Sequence, residues 1–141
     1  MAKPIKYKHR YFQQVAWGEM DAFGHVNNVT YVRYFESARA DYFSAEILWE
    51  SPLKPAKAGP VLTHLDMDYR KQVVFPATLE ITLEVDSISS RGFSVICSMW
   101  NQSDECVATA SAGLVWFDFQ SNRPAQIPVI FHQKFGNKKE N

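Results

Sequence analysis

Between Asn28 and Trp49 the large apolar residues fall at alternating steps of four and three: Tyr31, Phe35, Ala38, Tyr42, Ala45 and Trp49. That spacing is the stripe of an amphipathic helix, and after it the period drops to two. Val61, Thr63, Leu65, Met67 and Tyr69 alternate with Leu62, His64, Asp66, Asp68 and Arg70. Leu79, Ile81, Leu83 and Val85 then alternate with Thr78, Glu80, Thr82, Glu84 and Asp86. Phe93 to Trp100 and Cys106 to Phe119 read as two more strands, with turn signals at Ser89-Ser90-Arg91-Gly92 and at Asn101 to Asp104. Strands of this kind cannot bury their apolar face alone, and only the aromatic helix is large enough to cover them. The expected architecture is α+β: an antiparallel meander with the long helix lying across one concave sheet.

Local signals set the expected boundaries. Asn27 and Asn28 precede the helix as cap candidates, while Arg33, Glu36, Arg39 and Glu46 lie outside the apolar stripe. The helix is expected to end near Ser51-Pro52, with Pro55, Gly59 and Pro60 marking a loop. Tyr11 to Trp17 reads as a short strand before the helix, and Ile127 to Phe135 as a last turn of helix.

With 141 residues, 46% of them hydrophobic, and four Trp, six Tyr and ten Phe to bury, the chain is expected to form a single domain, 1–141. The longest apolar run, Ala112 to Phe117, is far short of the roughly 20 residues a spanning helix needs. Residues 1–10 carry Lys3, Lys6, Lys8 and Arg10 without an apolar h-region, so a cytoplasmic protein is expected. Fifteen Lys and Arg balance fifteen Asp and Glu, which leaves no electrostatic footprint for nucleic acid. Cys97 and Cys106 form no CxxC pair, and Cys97 alternates with Phe93, Val95 and Met99 as a reduced core residue would.

The chemistry concentrates in residues 17–39, where a strand ends, Asp21 sits in a tight loop containing Gly24, and the helix begins a few residues later. A helix start presents unpaired backbone N–H groups and the positive end of a dipole. Such a site can hold an oxyanion while Asp21 attacks the same carbonyl or activates water towards it. The competing structural account has Asp21 capping a turn, Gly24 supplying a positive φ and Asn27 capping the helix.

This stretch resembles the acyl-CoA thioesterases of the hot-dog fold, in the 4-hydroxybenzoyl-CoA thioesterase-like family. Asp21, Gly24, Asn27, Asn28, Tyr31, Tyr34, Phe35, Glu36, Ala38 and Arg39 match its segment of an acid, a glycine and an aromatic helix carrying Glu-x-Ala-Arg. The resemblance implies that Asp21 is the catalytic acid and that the Asn28 backbone N–H polarises the thioester carbonyl. His25 is a neighbouring candidate for proton transfer, with a loop-bonding histidine as the alternative. Gly24, Asn27 and Tyr31 are expected at the substrate, and Arg91 matches a basic turn that contacts the nucleotide. Arg70 and Lys71 are weaker cation candidates. The resemblance also implies a homodimer or homotetramer with both subunits lining each site. The departures are Glu19, where many relatives carry a second Asp, and Asn27-Asn28, where some carry aromatic residues.

The expected reaction is hydrolysis of an acyl-CoA thioester to a carboxylic acid and free CoA, without metal or organic cofactor, an acyl carrier protein being an alternative acyl donor. A hot-dog dehydratase or isomerase would need a histidine and an acid for proton abstraction, which His25 and Asp21 could supply; a non-catalytic acyl-binding module could use the same fold. His64, Asp66 and Asp68 share one strand face but read as its polar side rather than as metal ligands. Glu19 and Asp21 pair carboxylates as glycosidases do, yet both lie in one short loop. No P-loop, dinucleotide fingerprint or nucleophile elbow is present.

Overall fold

A computed structural model of the chain describes residues 3–46, 56–135 and 139–140. Strand β1 spans His9–Gln14, a 3-10 turn spans Trp17–Glu19, and helix α1 spans Asn28–Ala45. Strands β2 (Ala58–Tyr69), β3 (Thr78–Ile88), β4 (Gly92–Trp100) and β5 (Cys106–Asp118) follow, then a two-residue β6 (Arg123–Pro124), helix α2 (Val129–Phe135) and a two-residue β7 (Lys139–Glu140). The α+β class expected from the periodicities is the one found. Trp49, Ser51-Pro52 and Pro55, on which the expected end of the first helix rested, lie outside the described residues. Among the described residues no helix is long and apolar enough to cross a membrane.

The sheet runs β1-β3-β4-β5-β2, with β6 beside β5 and β7 beside β3. The meander β3-β4-β5 is therefore as expected, while β2 takes the far edge beside β5. That position corrects one boundary: Gly59 and Pro60 stand inside β2 rather than in the preceding loop. Proline lacks the ladder donor, and an edge strand tolerates that loss because one side of it is unpaired. At the β3-β4 turn, Ser89 N–H donates to the Gly92 carbonyl at 2.8 Å. Gly92 is required there, since a Cβ would sit 2.8 Å from the Leu114 carbonyl oxygen.

The chain forms two compact units, the first comprising Met1–Tyr42, Met67–Glu84 and Cys97–Ala110. Its core contains Tyr31, Tyr34, Phe35, Ala38 and Tyr42 from α1 together with Leu79, Ile81 and Leu83 from β3 and Cys97 and Met99 from β4, all buried. The two stripes read from sequence thus mark this interior as far as Tyr42, whereas Ala45, the next residue of the helical stripe as read, is exposed. Thr82 and Ser98 are buried as well, against the period of their strands. The N-terminal segment explains this: Tyr7 N–H donates to Thr82 Oγ1 at 2.9 Å and Ser98 Oγ donates to the Ile5 carbonyl at 2.7 Å, so both hydroxyls are satisfied. The second unit comprises Phe43–Asp66, Val85–Ile96 and Ser111–Asn141. Its core centres on Phe131 of α2, whose ring lies 4.6 Å from Phe93, 4.9 Å from Phe135 and 6.3 Å from Trp116 between centroids.

Candidate active site

The acidic loop is a small hairpin built on three rungs. Glu19 accepts at its carbonyl from Asn27 N–H (3.0 Å), Met20 bridges Val26, and Asp21 N–H donates to the His25 carbonyl (2.9 Å). The tip closes by Gly24 N–H donating to the Asp21 carbonyl at 3.0 Å. Gly24 adopts φ +80°, a conformation in which a Cβ would crowd the following carbonyl, so glycine is the natural residue there. Asp21 Oδ1 accepts from Phe23 N–H at 2.9 Å, which aims the carboxylate across the tip of its own turn. Val26 N–H, donating to the Val73 carbonyl at 2.8 Å, ties the returning arm down.

Helix α1 starts two residues beyond Val26. Asn27 is the cap: its Oδ1 accepts from Val29 N–H at 2.8 Å and its carbonyl from Thr30 N–H at 2.9 Å. Asn28 N–H has no acceptor among the described residues, and Asn28 is exposed. One donor at the positive end of the helix is thus left to point at something else. The Asn28 carbonyl accepts from the Tyr69 hydroxyl at 3.0 Å, and the Tyr69 ring stands edge-on to Tyr31 at 5.2 Å. Tyr31 itself is 3% exposed, packed beneath this surface rather than projecting from it. Burial pushes its hydroxyl pKa up.

His25 contributes its backbone carbonyl to Asp21; its half-buried imidazole has no hydrogen-bond partner among the described residues. Glu19 is held away from any paired role with Asp21. Its Oε1 accepts from Ala16 N–H at 2.7 Å and from the Tyr34 hydroxyl at 2.5 Å. Burial and that hydrogen bond to Glu19 both push the Tyr34 hydroxyl pKa well up, so it stays a donor. For Glu19 the sequence held one local sign, and only of the Ala16 bond: a glutamate as the third residue of a short helical turn can accept from the N–H of the residue before that turn. Its tyrosine partner is fifteen residues away and carries no such sign.

Large apolar side chains remain exposed in the same unit: Phe23 at 85%, Trp17 at 72% and Val29 at 70%. Of the cation candidates, Lys71 is ion-paired with Glu105, which holds that carboxyl below its ordinary range, and Arg70 donates to Thr109 Oγ1 at 3.1 Å. Arg91 belongs to the second unit; its carbonyl accepts from Trp116 N–H at 2.7 Å, fixing the turn while the side chain stays exposed. His64 Nε2 lies 2.7 Å from Asp66 Oδ2, and among the described residues no three His, Cys, Asp or Glu side chains gather as a metal would need.

The comparisons bear on the fold and the family. The PA2801 protein of Pseudomonas aeruginosa is 29% identical and superimposes with a TM-score of 0.83 over 90% of this chain and 97% of its own. The DHNA-CoA thioesterase from Staphylococcus aureus superimposes with a TM-score of 0.81 over 91% of this chain and 88% of its own, at 19% identity, which speaks for the fold alone. The fold is thus that of the hot-dog thioesterases, as the sequence resemblance implied. A protein of Aquifex aeolicus (strain VF5), carried under a provisional esterase name, is 27% identical over 84 residues, 60% of this chain and 66% of that protein. The present chain therefore spans just under two thirds of that curated relative. The sequence profile of the Thioesterase-like superfamily matches residues 15–135, from the end of β1 to the end of α2, and the chain belongs to that superfamily.

Proposed function

We propose that this protein is an acyl-CoA thioesterase in which Asp21 and the Asn28 N–H act on the two sides of one carbonyl. The observation that carries the reading is the Asn28 N–H at the start of α1, without an acceptor among the described residues, in the same small hairpin-to-helix segment as the Asp21 carboxylate. The superfamily membership supports the bond type, a thioester.

In the hydrolytic step, Asp21 removes a proton from water as the water oxygen bonds to the thioester carbon. The carbonyl electron pair moves onto oxygen, where Asn28 N–H and the helix dipole stabilise it. The C–S bond then breaks, and the departing thiolate takes up the proton. Alternatively an Asp21 oxygen bonds to the carbonyl carbon as the C–S bond breaks and the CoA thiolate leaves, taking a proton from solvent; water then opens the resulting mixed anhydride to the carboxylic acid and the free Asp21 carboxylate. His25 is on hand for the proton, Gly24 and Asn27 bring backbone close to the acyl group, and Tyr31 supports the surface from beneath. Arg91 is proposed for the CoA phosphates. The exposed Phe23, Trp17 and Val29 fit burial by a second copy, so a homodimer is proposed, with a tetramer as the next assembly. Two free cysteines fit a cytoplasmic setting.

Release of thiol from a panel of acyl-CoA and acyl carrier protein thioesters tests the reading. Asp21→Asn keeps an acceptor for Phe23 N–H but removes the carboxylate, and is expected to lower kcat about 10²–10⁴-fold. A variant with wild-type turnover would end the assignment of Asp21. Arg91→Ala is expected to raise KM with kcat little changed, and less so at high salt; an unchanged KM at low ionic strength would make Arg91 an ordinary surface cation.

A further inference from the structure

The geometry points to Glu19 and Tyr34 as a positioning pair that fixes the Asp21 hairpin against the helix that carries the Asn28 donor, an inference that rests on the thioesterase reading above. Glu19 occupies the base of the hairpin. Its carbonyl holds Asn27, its N–H donates to the Ala16 carbonyl at 3.0 Å, and its Oε1 gathers Ala16 N–H and the Tyr34 hydroxyl. One residue therefore joins three pieces of chain: the 3-10 turn, the helix cap and the second turn of α1. Tyr34 is 2% exposed, so its hydroxyl is presented from a fixed ring inside the core. A hydrogen bond to a carboxylate from a donor whose ring is fixed in the core is a stiff link.

The consequence for chemistry follows from connectivity. Asp21 sits two residues beyond Glu19, and Asn28 sits six residues before Tyr34 on the same helix. The carboxylate and the N–H donor approach a substrate from separate segments, and the Glu19–Tyr34 bond is a direct side-chain tie between those segments. The other ties of the hairpin, its own rungs, Val26 N–H on the Val73 carbonyl and Phe75 N–H on Met20 Sδ, run within the loop or to residues 73–75 and not to the body of α1. A misplacement of about 1 Å between reacting groups can cost about 10²-fold in rate. Neither Glu19 nor Tyr34 needs to touch substrate to act in this way.

Three variants and two readouts test the pair. Tyr34→Phe removes one hydroxyl and keeps the core ring; Glu19→Ala removes the acceptor; Glu19→Gln keeps an acceptor oxygen without the charge. Tyr34→Phe and Glu19→Ala are expected to lower kcat about 10–10²-fold with KM little changed. The double variant should be no worse than the weaker single one, and Glu19→Gln should recover the larger part of the loss. Amide hydrogen exchange at Asn27 and Asp21 should accelerate in Tyr34→Phe while circular dichroism reports the same fold. If wild-type protein releases thiol and folded Tyr34→Phe matches it in both kcat and exchange, the positioning role is overturned. If both kcat and KM change in proportion to lost stability, or the double variant shows additive losses, the pair is a brace only and the role is likewise overturned. Should wild-type protein hydrolyse no thioester, it is the functional assignment that fails, and the exchange rates decide the clamp by themselves.

Discussion

Asn28→Pro separates the backbone donor from everything else at the site. Proline at the first position of a helix removes an N–H that has no intrahelical acceptor, and its fixed φ already suits the helix. The residue before it is pushed towards extended backbone, which is what a cap residue adopts. In this protein the neighbouring N–H groups are already met by Asn27, Val29 at 2.8 Å and Thr30 at 2.9 Å, and neither bond involves Asn28. The Asn28 carbonyl, which the Tyr69 hydroxyl reaches at 3.0 Å, is retained. The exposed Asn28 side chain contributes no core packing, so the change in stability should stay within about 1 kcal/mol. The chemical step should suffer far more: losing one oxyanion donor typically costs about 10²–10³ in kcat, or about 2.7–4 kcal/mol of barrier. Asn28→Ala, which keeps the N–H, should lose much less. Thiol release at saturating acyl-CoA, set beside a denaturant titration of each variant, measures both quantities. A stably folded Asn28→Pro protein with wild-type kcat would refute the oxyanion role proposed for the start of α1.

Gly24→Ala should cost about 1–2 kcal/mol of stability, because φ +80° is strained for alanine while the space around its Cβ is open; an unchanged denaturation midpoint would show that the loop can rearrange at no cost. Cys97 is buried and burial pushes its thiol pKa up, so it should resist alkylation in the native protein and react once unfolded. The same burial makes stability fall at alkaline pH. Tyr34 and Cys97 are held protonated in the folded state above their ordinary values of 10.0 and 9.0, so the unfolded chain releases these protons first. Their contribution is complete below those ordinary values and is lost progressively as pH rises from them towards the raised folded-state values. Denaturant midpoints measured from neutrality upward should begin to fall near pH 9, and a flat profile into strong alkali would contradict the burial of both groups.

Local periodicity was enough to specify the main helix and the long strands, because each leaves a repeat in the order of apolar residues; the short first strand was misplaced, lying at His9–Gln14 with Trp17 in the 3-10 turn rather than running from Tyr11 to Trp17. The stripe through Tyr31, Phe35, Ala38 and Tyr42 is buried as read, and so are Leu79, Ile81, Leu83 and Val85. The turn chemistry of the acidic loop was likewise legible, since Asp21, Gly24 and Asn27 act within a few residues of themselves. What sequence could not determine was long range. That β2 lies beside β5, and so admits Gly59 and Pro60, depends on a pairing with residues more than forty positions away. The burial of Thr82 and Ser98 depends on Ile5 and Tyr7 crossing over them, which no strand alternation encodes. In the sequence Glu19 showed as a departure from the second Asp of many relatives and as an unpromising carboxylate pair with Asp21; that its partner is the Tyr34 hydroxyl is decided by the packing of α1. Periodicity reports which face of an element avoids water; which polar groups then meet across the interior is decided only when the elements pack.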